Sequence, residues 1–527
     1  MPQAPFWLRC DFYPAHRYGQ PGSHAVLPLA SAMTTPIDLA PTRDDTLRTQ
    51  QQVFERARAA HRDGHLDIAD AHYQQIPADS PFHADAALNR GRLLDTLGRA
   101  RDAIASYREA AHAAPDHPLP LILLGAALNR AQRYDEAARC FERATALQPG
   151  NVDTLFGLAY AYDGQRDFDR ALTVYRAALA LQPDSAALHN NLAYTLTCMA
   201  RYHDAKPHYQ RAIALAPGLS EAHHQLAMIA LRDGDFRAGW PGFEHRRSTR
   251  VGTNDHVTLA SPEWRGEPLA GKRILLTREQ GAGDQIQFVR YAAQLAARGA
   301  EVDVWTSPEL AALFARASGV RRVLTEAPLD SYDYWCPLMS VPGRLDDPVI
   351  PADVPYLRAD DDAIRTVRGY LASLAASRMK IGLVWAGNPR HHLDAFRSLP
   401  LAAMLPLADV PDVAWFALQQ GGAQQQLDAL RTRWTIRPPG AELRDFDATA
   451  AVIAALDLVI TVDTSVAHLA GALGRPVWVL LPVQSDWRWM HARDDSPWYP
   501  TARLFRQTRA GDWAGVVAAV RAALLVR

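Results

Sequence analysis

An α-helical solenoid followed by an α/β domain of two parallel-sheet lobes is the fold the sequence predicts. Prolines recur every 34 residues through the first half, at Pro81, Pro115, Pro149, Pro183 and Pro217. Beyond residue 270 the pattern changes to short, largely apolar runs, at 273–277, 381–385 and 458–462, as in strands buried on both faces. Each run ends in a turn rich in glycine or helix-capping residues and leads into a helical stretch. That order is the signature of strand–helix–strand units in a parallel sheet.

The helical half is periodic at more than its prolines. Tyr73, Tyr107, Phe141, Tyr175, Tyr209 and Phe243 keep the same step, and so do Ala69, Ala103, Ala137, Ala171, Ala205 and Gly239. A second small position reads Gly91, Gly125, Ala159, Ala193 and Ala227. Small residues let paired helices approach, the aromatic fills the space between hairpins, and proline stops the second helix. This is the pattern of tetratricopeptide repeats, which stack into a curved solenoid with a concave face suited to a peptide or another protein. The repeats run 50–83, 84–117, 118–151, 152–185 and 186–219, with a modified sixth to about 253. The sixth lacks the closing proline and reads GDFRAGWPGFEHRRS over 234–248, so Trp240 and Phe243 are expected to be buried where the solenoid meets the next domain. A short extended linker, PEWRGEPL over 262–269, follows.

Composition removes several function classes. Lys+Arg is 56 against Asp+Glu 57, a net charge of −1, which gives no footing for nucleic acid or an anionic membrane. Cys10, Cys140, Cys198 and Cys336 are scattered without metal spacing, as expected in a reducing, cytoplasmic setting. No apolar run approaches the ~20 residues of a membrane helix. Residues 1–32 lack the basic start and apolar core of a secretory signal; they are expected to be unstructured or to precede a native start at Met33. The whole stretch 1–49 reads as an irregular extension.

In the α/β half, the run at 273–277 is followed by REQGAGD over 278–284 and a helical stretch to about 298. Gly281 and Gly283 allow close approach of backbone to a ligand, and Asp284 begins the helix facing the cleft. The run at 381–385 leads into AGNPRHHLDAFRSLP over 386–400. His391, His392 and Asp394 do not make a metal site, because adjacent histidines cannot both face one ion from regular structure. Arg397 is the better ligand-binding candidate, as a fixed charge for a phosphate. The run at 414–418 ends at Gln419, placed for a base or ribose. The clearest unit is LVITVDTSVAHLAGALGRPVWVLLP over 458–482, two buried strands flanking a small-residue helix. Asp463, Thr464 and Ser465 stand at the carboxyl end of a strand and the amino end of that helix, where amides and helix dipole favour phosphate. His468, one turn on, adds a donor or positive charge. Asp463 as a plain helix cap and His468 as packing account for the same residues equally well. Aromatics and charges crowd 486–500, in DWRW and DDSPWYP, and read either as a sugar-binding wall or as a brace against the sheet. Asn388, Asp486, Trp487 and Trp489 are the candidates for that wall.

The segments GAGD…FVRYAAQLAARGAEV, GLVWAGNP and VDTSVAHLAGALGRPVWVLLP…DWRW…DDSPWYP resemble glycosyltransferase family 9, the heptosyltransferase group. More closely, the chain is similar to bacterial proteins that join tetratricopeptide repeats to such a domain. Its architecture also resembles the O-linked N-acetylglucosamine transferases, without their asparagine ladder along the solenoid. The loop at 391–396 departs from the Asn-Asp-Arg run of close relatives, and DFDAT at 445–449 is shifted likewise.

The resemblance implies an α + α/β chain: a tetratricopeptide solenoid over 50–253, then a GT-B glycosyltransferase domain of twin Rossmann-like lobes. An acceptor lobe would span 254–372 and a nucleotide-sugar lobe 373–507, with a terminal helix, 508–527, packing back on the core. It implies Asp284 as the general base on the acceptor hydroxyl. Arg397, Asp463, Thr464, Ser465 and His468 would hold the donor phosphates, with Gln419 at the nucleotide and Gly281 and Gly283 in the facing loop. No cofactor or metal is implied beyond a nucleotide-sugar co-substrate. The function is then a metal-independent, inverting transfer of a sugar to a protein or glycan acceptor recruited by the solenoid. Beside it stands a second reading, a repeat scaffold with a degenerate, non-catalytic transferase domain.

Overall fold

The computed structural model describes residues 43–249, 259–327, 331–345, 350–375, 377–391 and 394–526. Residues 1–42 of the expected extension and His392 lie outside the described residues, whereas 43–49, expected to be irregular, are helical. The chain divides into two compact units, Met1–Pro217 and Gly218–Arg527.

The described residues of the first unit form ten helices: α1 (Arg43–Arg62), α2 (Leu66–Gln74), α3 (His83–Thr96), α4 (Ala100–Ala113), α5 (Pro118–Arg130), α6 (Tyr134–Leu147), α7 (Val152–Gly164), α8 (Phe168–Leu181), α9 (Ala186–Cys198) and α10 (Tyr202–Leu215). They pack as successive antiparallel pairs. The ladders seen in the sequence form the core, with Tyr107, Phe141, Tyr175 and Tyr209 at most 1 % exposed. Each such ring contributes roughly 2 kcal/mol by leaving water. The small positions answer to the rings, since a Cβ on Gly91 would stand 2.5 Å from Tyr107, and one on Gly125 2.8 Å from Phe141.

A further period lies in the backbone. Gly64, Gly98, Gln132, Arg166 and Ala200, each 34 residues apart, take φ between 57° and 82° in the turn between paired helices. The residue after each closes the helix end, as when Arg133 N donates to Leu128 O and Arg201 N to Leu196 O, at 2.9 and 2.8 Å. Only two of the five are glycine, so composition hides this repeat.

The second unit opens with the sixth hairpin, α11 (Ser220–Arg232) and α12 (Phe236–Phe243). The division thus falls one hairpin before the 253/254 boundary expected from the period. Aromatic packing explains why. Trp240 meets Trp487 at 5.7 Å and Phe288 at 6.2 Å between ring centroids, and Phe243 meets Trp487 at 5.8 Å. Behind them the buried Arg246 bonds Glu244, Glu279 and Ser340, at 2.7, 2.8 and 2.7 Å, which compensates its desolvation.

The first lobe carries a parallel sheet in the order β3-β2-β1-β4, from β1 (Arg273–Thr277), β2 (Glu301–Trp305), β3 (Val320–Leu324) and β4 (Tyr334–Pro337). Its helices are α13 (Ala282–Phe288), α14 (Tyr291–Ala297) and α15 (Pro308–Phe314). The second lobe has six parallel strands, β5 (Met379–Val384), β6 (Val413–Ala417), β7 (Ile436–Arg437), β8 (Leu458–Val462), β9 (Val477–Leu481) and β10 (Ala502–Arg506), in the order β10-β9-β8-β5-β6-β7. Around it lie α16 (Asp361–Ala375), α17 (Asp394–Arg397), α18 (Gln426–Leu430), α19 (Phe446–Ala455), α20 (Ser465–Ala472) and α21 (Trp513–Leu525). The terminal helix α21 packs on β10 and on residues 401–407. β8 and β9 are buried at every position, as their unbroken apolar runs require. No described helix is long and apolar enough to cross a membrane.

Candidate functional site

A cavity of about 820 Å³ opens at the carboxyl ends of β5, β6 and β8. In a parallel sheet these ends are where strand-to-helix turns expose backbone groups to a ligand. Of the residues singled out in the sequence, Asn388, Gln419, Thr464 and Ser465 line it. Asp394, set aside in the sequence as a metal ligand, lines it too; sequence reasoning missed the rest of the wall, notably Arg444, Asp445, Phe446 and, from the first lobe, Glu309.

Two helices point their amino ends at this space. α19 is capped by its own Asp445, whose carboxylate accepts from Ala448 N at 2.7 Å. α20 begins after Thr464 with no side-chain cap, because the Thr464 hydroxyl bonds Thr461 Oγ1 at 3.1 Å instead. The positive end of the α20 dipole therefore faces the cavity without a compensating side chain. Arg397, beside it, is held by Asp394 at 3.2 Å. Gln419 is only 3 % exposed, and its amide is spent on the backbone. Its oxygen accepts from Trp385 N and Ala386 N at 3.0 and 2.9 Å; its nitrogen donates to Ala386 O and Gln420 O at 3.1 and 2.9 Å. It staples the end of β5 to the end of β6.

The other predicted residues gather in the seam between the lobes. Asp284 Oδ2 accepts from Gly281 N at 3.0 Å, and Oδ1 accepts from the Arg488 guanidinium at 2.5 Å. Arg488, on the loop after β9, also bonds Asp486 at 3.0 Å and Gln287 Oε1, and is stacked between Trp487 and Phe288. Gly283 is where the turn before α13 presses on α20: a Cβ there would stand 3.1 Å from His468 Cδ2 and 3.4 Å from Ser465 Cα. His468 Nδ1 pairs with Tyr499 OH at 2.9 Å, and its ring stacks on Trp489 at 5.3 Å.

Electrostatics follow from burial. Burial pushes His468 down to about 3, with the Arg488 charge acting the same way, so the imidazole is neutral. The positive charge expected of it is absent; what remains is a packed ring. Burial raises Asp463, and the neighbouring Asp486 carboxylate raises it further. Asp486 meets the same burial, but Arg488 holds it below the usual carboxylate range. Burial also raises Asp284, Arg488 pulls it back, and Asp486 adds to the rise.

The aromatic wall expected at Trp487 and Trp489 is corrected by the structure. They are 1 % and 0 % exposed, and Asp486 lies with them in the seam rather than on the cavity. With Trp498 and Tyr499 they form the core that receives the sixth hairpin, which is the brace reading of that segment. Of the four wall candidates, only Asn388 faces the cavity.

Comparison with known proteins gives the two halves their relations. A tetratricopeptide repeat model matches residues 54–118, 122–186 and 156–197. The model of glycosyltransferase family 9 (heptosyltransferase) matches 443–507, the segment that carries α19, β8, α20 and the Arg488 loop. The chain fits a fusion of tetratricopeptide repeats with a glycosyltransferase family 9 domain. The family 9 segment thus supplies both helix amino ends at the cavity and, in the seam, Asp463, Asp486 and Arg488. A curated relative, Protein FlbA of Caulobacter vibrioides, is 28 % identical over 323 residues, 56 % of this chain and 54 % of that protein. The chain spans about half the length of this relative. Among solved structures, MamA from MSR-1 is 24 % identical with a TM-score of 0.29, covering 32 % of this chain and 97 % of that one. MamA from Desulfovibrio magneticus RS-1 is 18 % identical with a TM-score of 0.30, covering 33 % and 97 %.

Proposed function

We propose that the chain is a glycosyltransferase that takes a nucleotide-sugar as donor and transfers the sugar, with inversion, to a protein or glycan acceptor brought by the repeats. One observation carries this reading: the cavity at the strand ends of the family 9 lobe has the uncapped amino end of α20 in its wall. A diphosphate leaving group gains negative charge as the glycosidic bond breaks, and oriented amides stabilise that charge without reorganising. Arg444 lines the same space as its cation, Arg397 lies against the lining residue Gly387 and is paired with Asp394, and Phe446, Leu443 and Leu418 supply the apolar surface a nucleoside needs. In this reading the base is Asp284, opposite α20 across the seam, and no metal is required.

A scaffold whose transferase domain binds a nucleotide without turning it over is the second reading. It is favoured by the double engagement of Asp284, whose two oxygens are each already bonded.

The deciding experiment is calorimetric binding of ADP, GDP, UDP, CDP and their sugars to the wild type and to Ser465→Glu. The new carboxylate sits in the first turn of α20, where it suits the dipole and spares the fold while repelling a diphosphate. One nucleotide should bind, and the substitution should weaken it at least about tenfold. Absence of binding by the whole panel would refute the donor site, and equal binding by the variant would move the site away from α20. Release of free nucleoside diphosphate from the bound sugar nucleotide then separates the enzyme from the scaffold.

A further inference from the structure

We propose that Arg488 is the positioning residue for Asp284, reaching from the nucleotide lobe across the seam to orient the carboxylate that serves as base. This rests on the transferase reading above. The geometry is that of a built arrangement rather than a chance surface pair. Arg488 is 6 % exposed, its guanidinium is shared among Asp284, Asp486 and Gln287, and its flat faces meet Trp487 and Phe288. Asp486 also accepts from Arg488 N at 3.0 Å, so the loop folds back and fixes the side chain that holds Asp284.

The pairing leaves room for catalysis. A carboxylate offers about four lone-pair sites, and Asp284 spends one on Arg488 and one on Gly281 N. A free site can take the acceptor's hydroxyl proton as the acceptor oxygen bonds to the anomeric carbon. The bond from that carbon to the nucleoside diphosphate breaks, and its electron pair leaves with the diphosphate. Arg488 keeps its partner ionised for this step. The charged and titratable groups that face Asp284 are Arg488 and Asp486 from the loop after β9; Asp463 and His468 stand behind Arg488 on β8 and α20. Burial raises Asp284 and Asp486 raises it further; Arg488 is the charge that opposes both, with the backbone amide of Gly281 acting in the same direction.

The test is the pH profile of nucleoside diphosphate release, run on the sugar nucleotide that binds best, for wild type, Arg488→Gln, Arg488→Lys and Asp284→Asn, with a melting curve for each. Removing a cation in contact with a carboxylate shifts that carboxylate by about 1–3 pH units. The acid limb of Arg488→Gln should therefore move up by that amount, whereas Arg488→Lys keeps the limb near its wild-type place and loses turnover without a change in KM. Asp284→Asn should abolish release and still bind nucleotide. An equal loss for Arg488→Gln at every pH would make the residue structural only and overturn the proposal. Should Arg488→Gln fail to fold, Arg488→Lys decides: unchanged turnover in that variant overturns it. A wild type that binds nucleotide at α20 and releases nothing sinks the transferase reading, and this role with it.

Discussion

Replacing Trp240 with alanine tests whether the sixth hairpin is part of the α/β unit or the last turn of the solenoid. The ring is 2 % exposed and touches Phe236, Phe243, Phe288 and Trp487, so little can collapse into the space it leaves. Truncating a buried aromatic of this kind costs about 3–5 kcal/mol. A domain of some 150–250 residues loses about 2–4 °C of Tm per kcal/mol, and a larger one less. For the unit Gly218–Arg527 the expected loss is about 6–10 °C. The assay is calorimetric unfolding of the full chain, with far-ultraviolet circular dichroism to separate the all-helical transition from the mixed one. The mixed transition should fall while the all-helical one stays within a degree or so. A fall confined to the helical transition would place the hairpin with the solenoid and refute the division at Pro217. Under the proposed function, the same variant should also slow nucleoside diphosphate release through Trp487, which neighbours Arg488.

Two further predictions concern the solenoid. Gln132, Arg166 and Ala200 hold positive φ where the first two turns use glycine, so Ala200→Gly should stabilise the chain by about 0.5–1 kcal/mol, read by urea denaturation. The three changes together should add, and a destabilised Ala200→Gly would show that the turn geometry is otherwise compensated. Asp163 lies half-buried against Thr195 Oγ1, at 2.8 and 3.0 Å, and desolvation pushes it up to about 7. An acid raised in the folded state gives a stability that is whole below its unfolded value and lost as pH climbs to the folded one. The wild type should therefore weaken between about pH 4 and pH 7 on this account, and Asp163→Asn should remove that loss, on the order of 2–4 kcal/mol by pH 8. Equal pH dependence of the two proteins would contradict it.

The repeat was legible because its cause is local: one ring, one small residue and one proline meet within a single hairpin, so each leaves a mark at the same interval. The parallel strands were legible because burial on both faces leaves unbroken apolar runs. The Asp-Thr-Ser turn could be placed for a like reason, since strand end and helix start adjoin in the chain. Glu309 could not, because its relation to Ser465 exists only once two lobes have folded against each other. Arg488 was in view within DWRW, but a guanidinium next to tryptophan signals equally a surface stack and a buried clamp. Between a charged donor and a packed ring the sequence could not choose for His468, because its charge depends on Trp489 and Tyr499, which arrive from later in the chain and exclude water. The turns at Gln132, Arg166 and Ala200 were hidden because the backbone repeats there and the residue type does not.

Gln419 has a consequence for selectivity. Its amide makes four bonds to the chain before any ligand arrives, so it offers a guest a rigid contour and no vacant hydrogen bond. A contour sorts guests by bulk, and sorting by bulk is lenient: it separates near-isosteric guests by only about ten- to two-hundred-fold, where a dedicated hydrogen bond achieves far more. Under the proposed function, a nucleoside in this cavity is sorted at Gln419 by its bulk and not by a hydrogen bond to that side chain.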